Sequence, residues 1–219
     1  MRANTTRPHP RAHELLRSLS AEQREAVTAP CWPLLIVAGP GSGKTRVLAH
    51  RIAYAIAVGR VRPAEVVAIS FTNRAAGELA GRIGGLLGEE VGRAIEVGTF
   101  HAVCHRMVRA SARRMGRSGA FSIWDAQDTR RAIGQAIKDL GREGIEAAEA
   151  QRRISLAKAR LDPLPLSAED SAEGGLPALA GVWRRYEELL ARSDALDFDD
   201  LIGRAVELMR RGSRSESGN

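Results

Sequence analysis

Apolar positions along this chain follow a strand-then-helix rhythm in the first half and a purely helical rhythm in the second. Leu15, Leu16 and Leu19 precede Ser20, and Ala21-Glu-Gln-Arg-Glu-Ala-Val27 follows it. Ser20 and Gln23 stand three apart, as in a capping box, so residues 14–29 are predicted helical with Ser20 as an N-cap. Leu34-Leu-Ile-Val37 is an unbroken apolar run of the kind found in buried strands. A glycine-rich turn follows, and then Val47, Leu48, Ile52, Ala55 and Ile56 fall on one side of a helix. The unit recurs twice. Val66–Phe71 predicts a second strand, with Asn73 capping a helix that carries Leu79, Ile83 and Leu86. Ile95–Val97 predicts a third, followed by a helix from about His101 with Val103, Met107 and Val108. Strands alternating with helices of this length read as βα units around a parallel sheet, an α/β fold.

After about residue 116 no further strand is predicted. Asp125 is placed to cap a helix running through Leu140, and further helices fit 146–160, 177–192 and 198–211. The stretch LDPLPLSAEDSAEGGLP reads as a loop. Residues 1–12 and 212–219 lack apolar anchors and are expected to be disordered.

Composition narrows the class. The chain has 219 residues and is 44% hydrophobic, enough for a sizeable core. No run approaches the roughly 18 apolar residues that a membrane span needs. The N-terminal stretch is basic but has no apolar segment, so it does not read as a secretory signal. Cys31 and Cys104 make no disulfide framework, and these features together point to the cytoplasm. The net charge of +7 is almost all arginine, with only three lysines, Lys44, Lys138 and Lys158. That charge suits a polyanionic partner, and it equally suits a general preference for arginine.

The chemistry begins at Ala38-Gly39-Pro40-Gly41-Ser42-Gly43-Lys44-Thr45, between the apolar run and the helix. A strand turning into a helix aims free N–H groups and the positive dipole end at one spot. Glycines at 39, 41 and 43 let the backbone wrap a phosphate; Lys44 would reach the β/γ-phosphates and the Thr45 hydroxyl would bind Mg²⁺. The strict pattern opens on Gly where this chain has Ala38, a small residue that fills the same corner.

Four blocks then resemble one family in order and spacing: Leu19-Ser-Ala-Glu-Gln-Arg-Glu-Ala-Val27, Ser70-Phe-Thr-Asn-Arg-Ala-Ala-Gly-Glu-Leu79, Gly98-Thr-Phe-His-Ala-Val-Cys-His105 and Ala195-Leu-Asp-Phe-Asp-Asp-Leu-Ile202. Over roughly residues 15–210 the chain resembles the N-terminal part of the UvrD/Rep/PcrA-like superfamily 1 DNA helicases. The resemblance implies a P-loop NTPase with a RecA-like parallel sheet and a helical inserted subdomain: a RecA-like domain over 13–111, the insertion over 112–192 and a returning helix over 193–211. It implies that ATP and Mg²⁺ are held by the phosphate loop, that Gln23 reads adenine and that Arg46 lies against the base. An amide can pair both a donor and an acceptor on adenine, and a guanidinium plane suits stacking. It further implies single-stranded DNA, or a single/double-strand junction, against Phe71, Thr72, Asn73, Arg74, Thr99, Phe100 and His101. Phe71 and Phe100 would stack on bases from the C-terminal ends of their strands, and the polar residues would bond phosphates. By the same resemblance the activity is 3′-to-5′ DNA unwinding in repair or replication. The acidic magnesium motif, the γ-phosphate arginines and the second motor domain would lie in sequence beyond these residues, so the chain is expected to be a fragment that is not catalytic alone. The alternative is a stand-alone nucleotide- and DNA-binding module.

Three other features lead elsewhere. His101, Cys104 and His105 share a helical face, but a metal site lacks its fourth ligand there. Asp197-Phe-Asp-Asp200 follows a stretch that reads as polar and helical, so Asp197 is expected to be an N-cap rather than the magnesium-binding acid. Arg130, Arg131, Arg152, Arg153, Arg184 and Arg185 read as a solvated helix face in preference to a duplex-DNA surface.

Overall fold

The computed structural model describes residues 12–30, 33–142, 144–162 and 177–216. Most of the predicted 161–177 loop and almost all of the predicted N-terminal tail lie outside those residues. The chain divides into two compact units, Met1–Val103 and Cys104–Asn219.

In the first unit the predicted N-terminal helix is two pieces, α1 (Glu14–Arg17) and α2 (Ala21–Thr28). The break falls at Ser20, whose extended backbone and side chain form the capping box with Gln23 in both directions. The glycine-rich turn leads into α3 (Lys44–Ala57). Strand β1 (Val67–Ser70) is followed by α4 (Asn73–Leu87) and α5 (Glu89–Arg93). Strand β2 (Glu96–Thr99) then runs straight into α6 (Phe100–Ala110). The two strands pair in parallel, from Val67 opposite Glu96 to Ser70 opposite Thr99, so their C-terminal ends are level. Ala49 of α3, Ala68 of β1, Leu79 and Ile83 of α4, and Ile95 pack as one core, while Leu19 and Val27 close on Val47. Burying a side chain such as Leu79 or Ile83 is worth about 1.5–3 kcal/mol each.

The strand expected at Leu34–Val37 does not form. The segment has no regular structure and joins no ladder among the described residues, and Leu35 and Val37 are 85% and 87% exposed. A strand exists only through its neighbours, and β1 is paired with β2 alone. An apolar run says that a segment gains from burial, not that a partner lies beside it. The sheet of this unit is therefore two-stranded.

In the second unit the expectation that strands stop is also overturned. Ser122–Trp124 (β3) and Ala195–Asp197 (β4) form a short parallel pair, with Ser122 opposite Ala195. Between them lie α7 (Ala126–Asp139), α8 (Ala147–Arg160) and α9 (Pro177–Arg192), and α10 (Phe198–Glu216) follows. Asp125 caps α7 as predicted: its Oδ1 accepts from Gln127 N at 2.7 Å and Asp128 N at 2.9 Å. Ile133, Ile154, Val182, Tyr186 and Leu190 fill the centre of the helical bundle. Val108, Phe121, Leu196 and Leu201 form a second cluster under the strand pair. Helix α10 runs to Glu216, past the 211 read from the sequence.

Candidate functional site

The glycine-rich turn takes its shape from two left-handed residues. Gly41 has φ +74° and Gly43 +85°, a region costly for any residue with a Cβ. Gly43 is the N-cap of α3, so the first turn of that helix, Lys44 to Arg46, opens at the loop with its N–H groups unused by the helix. The loop is tied to itself. Ser42 Oγ donates to Gly39 O at 2.8 Å, and Lys44 Nζ donates to Gly39 O at 2.7 Å and Ala38 O at 3.3 Å. Pro40 and Gly41 are exposed at its tip. The Thr45 hydroxyl is carried in the first helical turn.

Gln23 reaches this loop from α2. Its Oε1 accepts from Ser20 N at 3.2 Å in the capping box, and its Nε2 donates to Ser42 O at 3.0 Å. A cleft of about 930 Å³ opens beside it, its lining including Gln23, Ser42 and Lys44 together with Ile36, Ile52 and Ile69. Arg46 is turned toward the N-terminal segment, donating from Nη2 to Ser18 O at 2.6 Å.

The residues expected at DNA gather at the level ends of β1 and β2. Phe71 is 93% exposed and Phe100 49%, and their rings meet edge to face with centroids 6.3 Å apart and planes at 66°. Thr72 caps α4, its Oγ1 accepting from Ala75 N at 3.1 Å, and Thr99 Oγ1 accepts from Ala102 N at 3.3 Å. Both hydroxyls keep a proton to donate. Asn73, Arg74 and His101 are exposed in the first turns of α4 and α6. Two helix N-termini, two hydroxyls, an arginine and an aromatic pair on one sheet end can bind phosphates and stack bases.

Sequence reasoning missed a charged cluster in the second unit. Lys158 of α8 lies within 2.7 Å of Glu187 of α9, 2.7 Å of Asp197 of β4 and 2.9 Å of Asp200 of α10. Its side chain is 8% exposed, and the Tyr186 hydroxyl donates to Asp197 Oδ2 at 2.7 Å. Burial works against the charge on Lys158, but Asp200, Asp197 and Glu187 together hold its pKa above the ordinary lysine value. Burial pushes the Asp200 carboxyl up to about 6 against the pull of Lys158, and burial beside Asp197 raises the Tyr186 phenol as well. Asp197 Oδ1 accepts from Asp200 N at 2.8 Å, so it caps α10 as expected. Its lead-in, however, is the buried strand β4, not a polar helix. The signal that could have found it is compositional: Lys158 is one of only three lysines in a chain that otherwise uses arginine. The arginines of this unit are largely paired on their own surface: Arg131 with Asp128, Arg152 with Glu149, and Arg185 with Asp139 and Glu188.

Comparison with known proteins gives the same direction. Residues 19–217 match the UvrD/REP helicase N-terminal domain. The chain is 41% identical over 209 residues to the ATP-dependent DNA helicase UvrD1 of Mycobacterium tuberculosis, which covers 91% of this chain and 26% of that protein. It is 39% identical over 202 residues to the ATP-dependent DNA helicases PcrA of Staphylococcus epidermidis and of Staphylococcus aureus, covering 90% of this chain and 27% of each relative. The chain thus spans about a quarter of the length of the curated relatives it matches. With a glycine-rich turn from Gly39 to Lys44, a glutamine bonded to it and a match over nearly its whole length, the chain belongs to the UvrD/REP helicase family, within that family's N-terminal domain.

Proposed function

We propose that this chain is the ATP-binding and first DNA-contacting part of a 3′-to-5′ DNA helicase. The observation that carries the reading is the bond from Gln23 to Ser42 O, which joins the base-side glutamine to the phosphate loop. In this reading Lys44 leaves the Ala38 and Gly39 carbonyls for the β/γ-phosphates of ATP, and Gln23 pairs with adenine. Arg46 gives up its bond to Ser18 O and lies against the base. The Thr45 hydroxyl, a hard oxygen donor in the first turn of α3, would help hold Mg²⁺, which when bound would supply charge neutralisation at the phosphates. Single-stranded DNA runs across the ends of β1 and β2, with a base against Phe71 or Phe100 and phosphates on Thr72, Asn73, Arg74, Thr99 and His101.

The apolar Leu34–Val37 segment is then one strand of a RecA-like sheet whose further strands come from the sequence that the relatives carry beyond the matched region. Hydrolysis and unwinding depend on the same sequence. An arginine finger is worth about 10³–10⁵ in rate and a general base about 10²–10⁴. Alone, the chain binds nucleotide and single-stranded DNA and turns over little ATP.

The test is nucleotide binding and ATPase activity with and without single-stranded DNA, beside Lys44→Ala. The expected result is ATP binding weakened at least about tenfold by the substitution, with negligible turnover in both proteins. Binding indifferent to Lys44 overturns the nucleotide site. DNA-stimulated turnover that needs Lys44 overturns the dependence on further sequence.

A further inference from the structure

The base-side glutamine is only as well placed as the helix that carries it, and α2 is a poor helix on its own. It has eight residues and buries a single side chain, Val27. Isolated helices of that length are not stable in water. The phosphate-loop helix α3 supplies what α2 lacks. Arg51, 9% exposed, donates from Nη1 to Ala26 O at 2.7 Å, Val27 O at 3.3 Å and Ala29 O at 3.1 Å. The Ala26 and Val27 carbonyls belong to the last turn of α2, where the helix offers no N–H partner and a cation also meets the negative dipole end. Two neighbours on α3 hold the segment on the other side of the capping box. His50 Nδ1 lies 2.7 Å from Leu15 O, and Arg46 donates to Ser18 O at 2.6 Å. A ring nitrogen facing a carbonyl carries the proton, so His50 acts there as a donor.

Helix α2 is therefore gripped at both ends from the phosphate-loop side, by Arg51 on its C-terminal carbonyls and by the Gln23–Ser42 bond at its N-terminus. With the first grip released, α2 is free to turn or slide, and the Gln23 amide moves relative to the loop.

We propose that Arg51 is a positioning residue for base selection: by clamping the C-terminal carbonyls of α2 it fixes the Gln23 amide against the phosphate loop, and so sets the preference for adenine over guanine nucleotides. The inference rests on the reading of Gln23 as the adenine-pairing residue. Arg51 also lines the cleft beside Gln23, but its Nη1 is committed to the carbonyls at the end of α2, so in this role its loss falls on selectivity and spares the affinity for the phosphate chain.

The experiment measures the affinity of the full 219-residue chain for ATP, GTP and inorganic tripolyphosphate, by competition against a fluorescent ATP analogue. It compares the unsubstituted chain with Gln23→Ala, Arg51→Lys and Arg51→Met. The unsubstituted chain is expected to prefer ATP to GTP and Gln23→Ala to lose that preference. Arg51→Met is expected to lower the ATP-to-GTP affinity ratio by about tenfold with tripolyphosphate affinity within about twofold. Arg51→Lys, which keeps a cation near the carbonyls, falls between. A ratio unaltered by Gln23→Ala overturns the reading of Gln23, and this inference with it. A ratio lost in Gln23→Ala but kept in both Arg51 variants overturns the role of Arg51 alone. So does an equal loss for ATP, GTP and tripolyphosphate, which marks a residue that only supports the fold. If Arg51→Met does not fold, Arg51→Lys decides: a lowered ratio with tripolyphosphate binding retained supports the clamp, and an unaltered ratio overturns it.

Discussion

Replacing Lys158 by methionine removes the cation from a site with three carboxylates and little water. The geometry sets the size of the effect. The ammonium lies 2.7–2.9 Å from Glu187, Asp197 and Asp200, with Lys158, Asp197 and Asp200 at 8%, 6% and 11% side-chain exposure. Removing one partner of a buried ion pair costs about 3–5 kcal/mol, mostly the cost of charge left without compensation. A domain has only about 5–15 kcal/mol to lose. Lys158→Met should therefore lower the melting temperature of the second unit by roughly 10–25 °C near pH 8. Near pH 5 the loss should be smaller, because carboxyls that have lost their cation take up protons and escape the penalty. Adding Asp200→Asn should recover part of the pH 8 loss. The assay is urea unfolding followed by circular dichroism at the two pH values. A loss below about 1 kcal/mol at pH 8 would refute the premise that the cluster is desolvated, and equal losses at both pH values would refute its origin in uncompensated charge.

Asp200 also leaves a pH signature. Its folded pKa of about 6 lies above the ordinary carboxyl value, so its stabilising contribution is complete below about pH 4 and is lost as the pH rises through 6. Relative to Asp200→Asn, the unsubstituted chain should lose on the order of 2–3 kcal/mol between pH 4 and 7, and a flat difference in urea unfolding across that range would disprove it. Phe71→Ala, at a site 93% exposed, should change stability by less than about 0.5 kcal/mol. The same change should weaken single-stranded DNA binding by about 1–3 kcal/mol in fluorescence anisotropy, and undiminished affinity would remove Phe71 from the DNA surface. Leu35 and Val37 leave an apolar edge in solvent, so the chain should self-associate with rising concentration in sedimentation velocity, and Leu35→Lys with Val37→Lys should suppress it. A monomer at high concentration would refute that expectation.

What was legible in the sequence was local. The Ser20–Gln23 capping box and the Asp125 cap depend on residues at most three apart, and both form. The helices of the second unit follow from apolar spacing, and β1 and β2 from short β-rich runs, but the cap of α4 is Thr72 and not the Asn73 read from the sequence, which is the first helical residue. The glycine-rich turn was readable because its glycines and Lys44 are contiguous. What failed depended on distant partners. Leu34–Val37 read as a buried strand, but burial and pairing belong to neighbours that its own residues cannot specify. β3 and β4 pair across more than seventy residues and are too short for alternation to show. The Lys158 cluster gathers four elements, and its lysine occupies a position indistinguishable by spacing from a surface one. Arg51 likewise reads as the polar face of α3, and only the fold brings α2's carbonyls to it.

The burial of Lys158 has a consequence for chemical labelling. Of the chain's three lysines, this one is shielded and held protonated by its carboxylates, a poor nucleophile on both counts. Lys138 is exposed on α7 and Lys44 is exposed at the phosphate loop. An amine-acylating reagent applied to the folded protein therefore modifies Lys44 and Lys138 and spares Lys158 until the second unit unfolds. One peptide map then carries three signals: Lys44 reports on what covers the loop, Lys138 serves as the internal standard, and Lys158 reports on unfolding. A chain that uses arginine almost everywhere else has left its few primary amines where a mass spectrometer can read the loop and the helical core separately, without any substitution.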